Sequence, residues 1–190
     1  VADGYRSLEE LAALDGQGQL TPLGQHLARL PLDPRIGRML LAAREFDCLA
    51  EMIILTAALS IQDPRDRPQD KRQESDRAHE EFRDDASDFV QLMNLWKFFD
   101  EAFRHKESGR KLWATCREHF LSYVRMREWR DLAGQLREMA AELNAFTKFV
   151  AMPMRGGAER GSEESGMPIE PIAGSASSIA VVCEAVQEIC

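Results

Sequence analysis

The sequence predicts a mainly all-α protein, and three observations carry that prediction. Two helix starts of one kind stand close together, Thr21-Pro22 and Asp33-Pro34, each a capping oxygen just before a proline. The cap accepts a hydrogen bond from an unpaired backbone N–H, and proline at the first helical position loses nothing, because its N–H would have no partner there. Apolar residues also recur three and four apart, most regularly as Met126, Trp129, Ala133, Leu136, Ala140 and Leu143. That spacing puts them along one side of a helix. Glycine and proline gather after residue 152, so the helical part gives way to linker composition there.

The chain has 190 residues, 44% of them hydrophobic and 29% charged. It is an ordinary globular composition for one domain, or one small and one medium domain. The formal charge of −8 excludes a uniformly basic, nucleic-acid-coated surface, yet it is unevenly distributed. Residues 62–103 hold seven Lys/Arg against twelve Asp/Glu, and residues 104–137 hold nine against four. Only the second stretch is a candidate for phosphate contact. Cys48, Cys116, Cys183 and Cys190 form no C-x-x-C pair and read as reduced, buried thiols of a cytoplasmic protein. The longest apolar run, Met52 to Ile61, is broken by Thr56 and Ser60. It is about half the roughly twenty residues that a membrane span needs.

Taken in order, Ser7-Leu8-Glu9-Glu10 reads as a capping box opening a helix with Leu8, Leu11 and Leu14 on one side. Asp15-Gly16-Gln17-Gly18 would stop it. A short extended Gln19–Thr21 precedes a helix from Pro22 to Leu30 bearing Leu23, Leu27 and Leu30. Helix, short strand and helix make part of a winged helix. Pro31 ends that helix, and Leu32-Asp33 links it to the next, where Ile36, Met39, Leu40 and Ala43 turn inward. A helix from about Cys48 to Ser60 has a broad apolar stripe. Residues 61–72 form a charged, proline-containing loop, and Gln73–Arg83 is polar nearly all round, a solvated helix with His79 exposed. Ser87 caps a helix whose stripe is Phe89, Leu92, Trp96, Phe99 and Phe103, with core packing favoured over base stacking for the aromatic residues. Ser108-Gly109 breaks it. The helix 110–120 then turns Leu112, Trp113, Cys116 and Phe120 inward, and a last helix runs from about Arg125 to Leu143.

Leu20-Thr21-Pro22-Leu23-Gly24 and Leu30-Pro31-Leu32-Asp33-Pro34 resemble the junction between winged-helix and ratchet domains in DEAH-box RNA helicases, especially the helicase-associated region of the bacterial HrpA type. The similarity continues through Cys48-Leu49, residues 57–65, Ser87-Asp88-Phe89, Leu95-Trp96 and residues 120–132, about the first 145 residues in all. It implies a partial winged-helix domain at 1–32 and a helical-bundle ratchet domain at 33–145, while composition makes 146–190 a low-order tail in which Ser178 to Ile189 could form a short terminal helix. In the family the bundle continues toward an OB-fold, and the tail departs from that pattern.

No Gly-rich loop ending in Gly-Lys-Ser/Thr is present, so no ATPase or other catalytic motif is read in this chain. The resemblance leaves ATP and Mg²⁺ to motor domains outside it. Cys116 and His119 share a helix face, but no second pair completes a metal site. His26 reads as a partly buried packing residue.

The resemblance implies contact with single-stranded RNA, with DNA left open, and partnership with RecA-like motor domains of the same polypeptide. It puts the contact at the start of a helix ending in a Gln-Leu pair. Gln135-Leu136 match that pair, Asp131 falls where many relatives carry Asn, and Ala133 falls where many eukaryotic relatives carry Arg. Arg125, Arg127 and Arg130 lie off the apolar seam near a helix N-terminus, where backbone N–H groups and the dipole favour an anion. The candidate nucleic-acid-binding residues are therefore Arg125, Arg127, Arg130, Asp131 and Gln135. Two competing readings are a structural or protein-docking helical domain, and a winged-helix DNA regulator. The helix 22–30 offers the latter only His26 and Arg29.

Overall fold

The computed structural model describes residues 2–44, 46, 48–105 and 108–151, with side chains described only as far as Glu142. The expectations for segment 152–190, its terminal helix included, lie outside the described residues, as does the side chain of Leu143. Eight α-helices follow one another, and no strand forms among the described residues.

Helix α1 (Ala2–Glu10) already contains Ser7, so the capping box predicted there does not form. Asp3 is the acid of its first turn, and Glu10 pairs with Arg6 one turn earlier at 3.2 Å. The helix stops before the Asp15-Gly16 turn. Ala12 takes a left-handed conformation (φ 55°), its N–H reaches the Glu9 carbonyl, and the Ala13 N–H reaches back to Leu8. Those paired bonds are the Schellman stop, with alanine where glycine is usual. Asp15 then folds the next turn, its carboxylate accepting from the N–H groups of Gln17 and Gln19. Leu14 and Leu20 meet in an isolated antiparallel bridge.

Both proline-linked caps form as the sequence predicts. Thr21 accepts from the Gly24 N–H at 3.0 Å to open α2 (Pro22–Leu27), and Asp33 accepts from the Arg35 N–H at 2.9 Å to open α3 (Pro34–Ala42). The Thr21 hydroxyl also donates to the Ala12 carbonyl at 2.7 Å, fastening α2 to the end of α1. Gly24 is buried, and a Cβ there would run into the Ala13 carbonyl, so the close approach requires glycine. Helix α2 is shorter than predicted, but Leu27 and Leu30 are buried as expected.

Helix α4 (Leu49–Ser60) is the centre of the molecule, with every residue from Met52 to Ala58 buried. The Thr56 hydroxyl is satisfied within the helix by the Met52 carbonyl at 2.6 Å. Helices α3, α6 (Asp88–Arg104) and α8 (Tyr123–Ala151) pack around it. The α8 seam is as predicted: Met126, Trp129, Ala133 and Leu136 have no exposure, and Ala140 has 8%. The helix outruns its predicted end because no glycine or proline occurs between Gly134 and Pro153.

Four burial expectations are overturned. The polar segment is split into a 3₁₀ turn at Gln69–Lys71, helix α5 (Arg72–His79) and a second 3₁₀ turn at Glu80–Phe82. It is not merely solvated, because Ser75, His79 and Phe82 are all buried. His79, expected in solvent, is 7% exposed, and its Nε2–H donates to the Phe120 carbonyl at 3.1 Å. In α7 (Gly109–Glu118), Leu112 and Cys116 are buried, but Trp113, expected inward, is 49% exposed. The inward arc of α7 is narrow because only one side of it meets α8. At the end of α6, Phe103 is 38% exposed and serves as a platform for an arginine instead of core.

Candidate nucleic-acid interface

The start of α8 is fixed by the loop after α4. Helix α7 ends like α1: Phe120 is left-handed (φ 52°), its N–H bonds to the Arg117 carbonyl, and the Leu121 N–H bonds to Cys116. The chain then runs antiparallel to the loop. The Asp66 N–H donates to the Phe120 carbonyl and the Ser122 N–H to the Pro64 carbonyl, each at 2.8 Å, with a bridge between Arg65 and Leu121. Arg65 clamps the loop on itself through Asp63 (2.8 Å) and reaches Gln91. Burial pushes the Asp63 carboxyl upward, but hydrogen bonds from the Arg65 side chain and backbone, with the Arg65 and Arg67 charges, outweigh it and hold Asp63 below its ordinary range.

This scaffold separates the three candidate arginines. Arg125 faces the loop, its guanidinium donating to the Asp63 carbonyl at 3.0 Å and to the Asp66 carboxylate at 3.1 Å. It is a brace for the helix start, with its charge already matched. Arg130 lies on the opposite flank of the seam, its guanidinium 3.3 Å from the Phe103 ring centroid. Arg127 points outward near the Tyr123 ring and has no ion-pair partner among the described residues. The structure therefore does not bring Arg125, Arg127 and Arg130 together on one face.

Asp131 and Gln135 are exposed one turn apart, on the ridge between two grooves. One groove, of about 520 Å³, runs along Arg127, Asp131 and Gln135 against Pro31, Ser60 and Ile61. The other, of about 360 Å³, lies between α4, α6 and α8, with Arg104, Arg130 and Arg137 on its rim. Ala133 is fully buried in the seam and lines neither groove. No cluster of metal-ligating side chains occurs among the described residues. Cys116 and His119 are engaged separately. The thiol is buried and pushed up to about 11, while His119 bonds to the Thr115 carbonyl and lies 3.4 Å from Glu81.

Residues 5–32 match the family "Helicase associated domain (HA2), winged-helix", and residues 33–92 match "Helicase associated domain (HA2), ratchet-like". The chain carries the helicase-associated HA2 region. The HA2 chain is 47% identical over 150 residues to the ATP-dependent RNA helicase HrpA of Escherichia coli (strain K12), covering 75% of this chain and 11% of that protein. It is 43% identical over 152 residues to the HrpA homolog of Haemophilus influenzae (76% and 12%), and 39% identical over 134 residues to the human ATP-dependent DNA/RNA helicase DHX36 (70% and 13%). The chain thus spans a small part of each of these relatives.

Sequence reading missed the Arg125 brace, the Arg130–Phe103 stack and the exposure of Trp113. The loop 61–72 carries both signs of charge, and Arg125 lies 59 residues beyond Asp66, too far for any local pattern to pair them. Among the described residues no helix is long and apolar enough to cross a membrane.

Proposed function

We propose that this chain is a non-motor accessory region of an ATP-dependent DEAH-box RNA helicase. It contributes to the path of a single nucleic-acid strand and couples that path to RecA-like motor domains of the same polypeptide. In this reading the division at 1–32 and 33–145 is functional, and ATP with Mg²⁺ belongs to the motor domains. The observation that supports it best is the groove along α8, where unpaired Arg127 and the exposed polar pair Asp131 and Gln135 face the joint at Pro31 and Ser60–Ile61. The charged side chains of that groove are Arg127, Glu128 and Asp131, so Arg127 is its phosphate-binding cation, while the two carboxylates and Gln135 can accept from sugar hydroxyls, which any sequence of RNA presents. RNA is the first expectation, and single-stranded DNA the second.

The test is fluorescence anisotropy of a labelled 12-mer oligouridine, and of the matching DNA, titrated with the 190-residue chain. With two or three phosphate contacts, affinity should fall roughly tenfold between about 50 and 200 mM salt. Arg127→Glu should weaken binding about as much at fixed salt. No binding at about 50 mM overturns the reading in favour of a structural or protein-docking domain, and an Arg127→Glu variant that binds as tightly as the parent overturns the Arg127 groove as the point of contact.

A further inference from the structure

Of the three tryptophans, two are core: Trp96 is 5% exposed and Trp129 is fully buried. Trp113 is not, keeping 49% of its surface in water on the outer side of α7. It lines a separate groove of about 460 Å³ between α7 and the segment 66–71, floored by Phe120 and Leu121. Arg117, one turn further on, holds its guanidinium 5.3 Å from the Trp113 ring centroid. Lys71 stands across the groove. Neither Arg117 nor Lys71 has an ion-pair partner among the described residues, while the one acid in the lining, Asp66, is matched by Arg125. Tyr123 and Val124, the latter 73% exposed, line both this groove and the Arg127 groove, so the two surfaces are continuous.

Resting on the reading of α8 given above, we propose that Trp113 is a base-stacking platform for a single nucleic-acid strand. Lys71 and Arg117 contact the phosphates on either side of the stacked base. A large indole left half in water, with a guanidinium over it and unmatched cations beside it, has the two features that sequence-independent single-strand binding uses. An apolar protein surface would cover the ring but bury Lys71 and Arg117 without partners, which is costly. The strand then runs from Trp113 across Tyr123 and Val124 to Arg127.

The experiment follows intrinsic tryptophan fluorescence and anisotropy of the full chain with the 12-mer oligouridine at about 50 mM salt. Trp96 and Trp129 are shielded, so quenching on binding reports Trp113. Trp113→Ala should abolish the quenching and weaken binding by about 5- to 150-fold, the range that loss of one stacked base implies. Trp113→Phe should recover part of the affinity, and Arg117→Glu should weaken binding with Trp113 intact. Both positions are exposed, and unchanged melting curves of the three variants confirm intact folds. If the parent binds and Arg127→Glu is weakened but Trp113→Ala binds with parental affinity, this proposal is overturned and the α8 reading stands. If Trp113→Ala loses affinity while Arg127→Glu does not, stacking holds and the Arg127 groove is wrong. Absence of binding by the parent chain overturns both.

Discussion

Trp129 lies fully buried on the α8 seam, tilted against Trp96 with ring centroids 5.3 Å apart. Its indole N–H donates to the Ile54 carbonyl at 2.8 Å, so one residue ties the last helix to the central one by both area and a directed bond. Truncation to alanine leaves a cavity that packed helices cannot close. Trp129→Ala should cost about 3–5 kcal/mol in urea unfolding, and a loss under 1 kcal/mol would refute the seam.

His79 supplies a pH-dependent term. A carbonyl only accepts, so Nε2 carries the proton that bonds Phe120, and buried Nδ1 is left without a hydrogen-bond partner. Burial pushes the His79 pKa below its ordinary value, the Arg67 and Arg65 charges add to this, and the Phe120 bond and Asp63 oppose it. The folded state therefore prefers neutral His79. That preference stabilises fully above the unfolded pKa, near 6.5, and is lost as pH falls from there through the lowered native value. Melting temperature should drop between pH 7.5 and 5.5 by more in the parent than in His79→Gln, and equal drops would rule His79 out as the cause.

Among the elements, α1 and α7 end alike. Ala12 and Phe120 are the two non-glycine residues with positive φ among those described, and each sits just past a helix end. At Phe120 the side chain floors a groove, which gives a reason to keep it. Ala12 is exposed and its methyl packs on little, so its strain has no such return. Ala12→Gly should raise stability by about 1 kcal/mol, measured by thermal melting, and a destabilised variant would show that the methyl has a packing role. Helix α8 combines three jobs by angle: seam toward α4, Arg125 toward the loop, and Arg127 with Gln135 toward the groove.

For the molecule as a whole, the winged-helix and ratchet-like matches meet at residues 32 and 33, but the core crosses that join. Leu30 belongs to the same buried cluster as Leu40, Met52 and Trp129, and Leu27 and Leu30 close over Gly37. One cooperative transition is expected. Thr21→Ala removes a cap in the first part, at a cost of about 1–2 kcal/mol. It should lower the melting point seen by tryptophan fluorescence, all of which arises from the second part, by the same few degrees seen by circular dichroism. Separate shifts by the two probes would mean two independently unfolding parts.

The sequence by itself determined where most helices begin and which residues make the α8 seam. Proline-linked caps and three-four spacing act within one turn, so Thr21, Asp33 and Ser87 could be read as caps and were found as caps, while Ser108, read as a helix break, also caps α7. The same local patterns could not say which face each helix would spend on a partner. His79 is buried by a carbonyl 41 residues away, Arg125 is claimed by an acid 59 residues earlier, and Trp129 is anchored 75 residues back. Trp113 has the helical spacing of a core residue but stays half in water, because the segment 66–71 faces it across an open groove instead of packing over it. Burial and charge matching are settled by what arrives from elsewhere in the chain, and only the tertiary structure decides that.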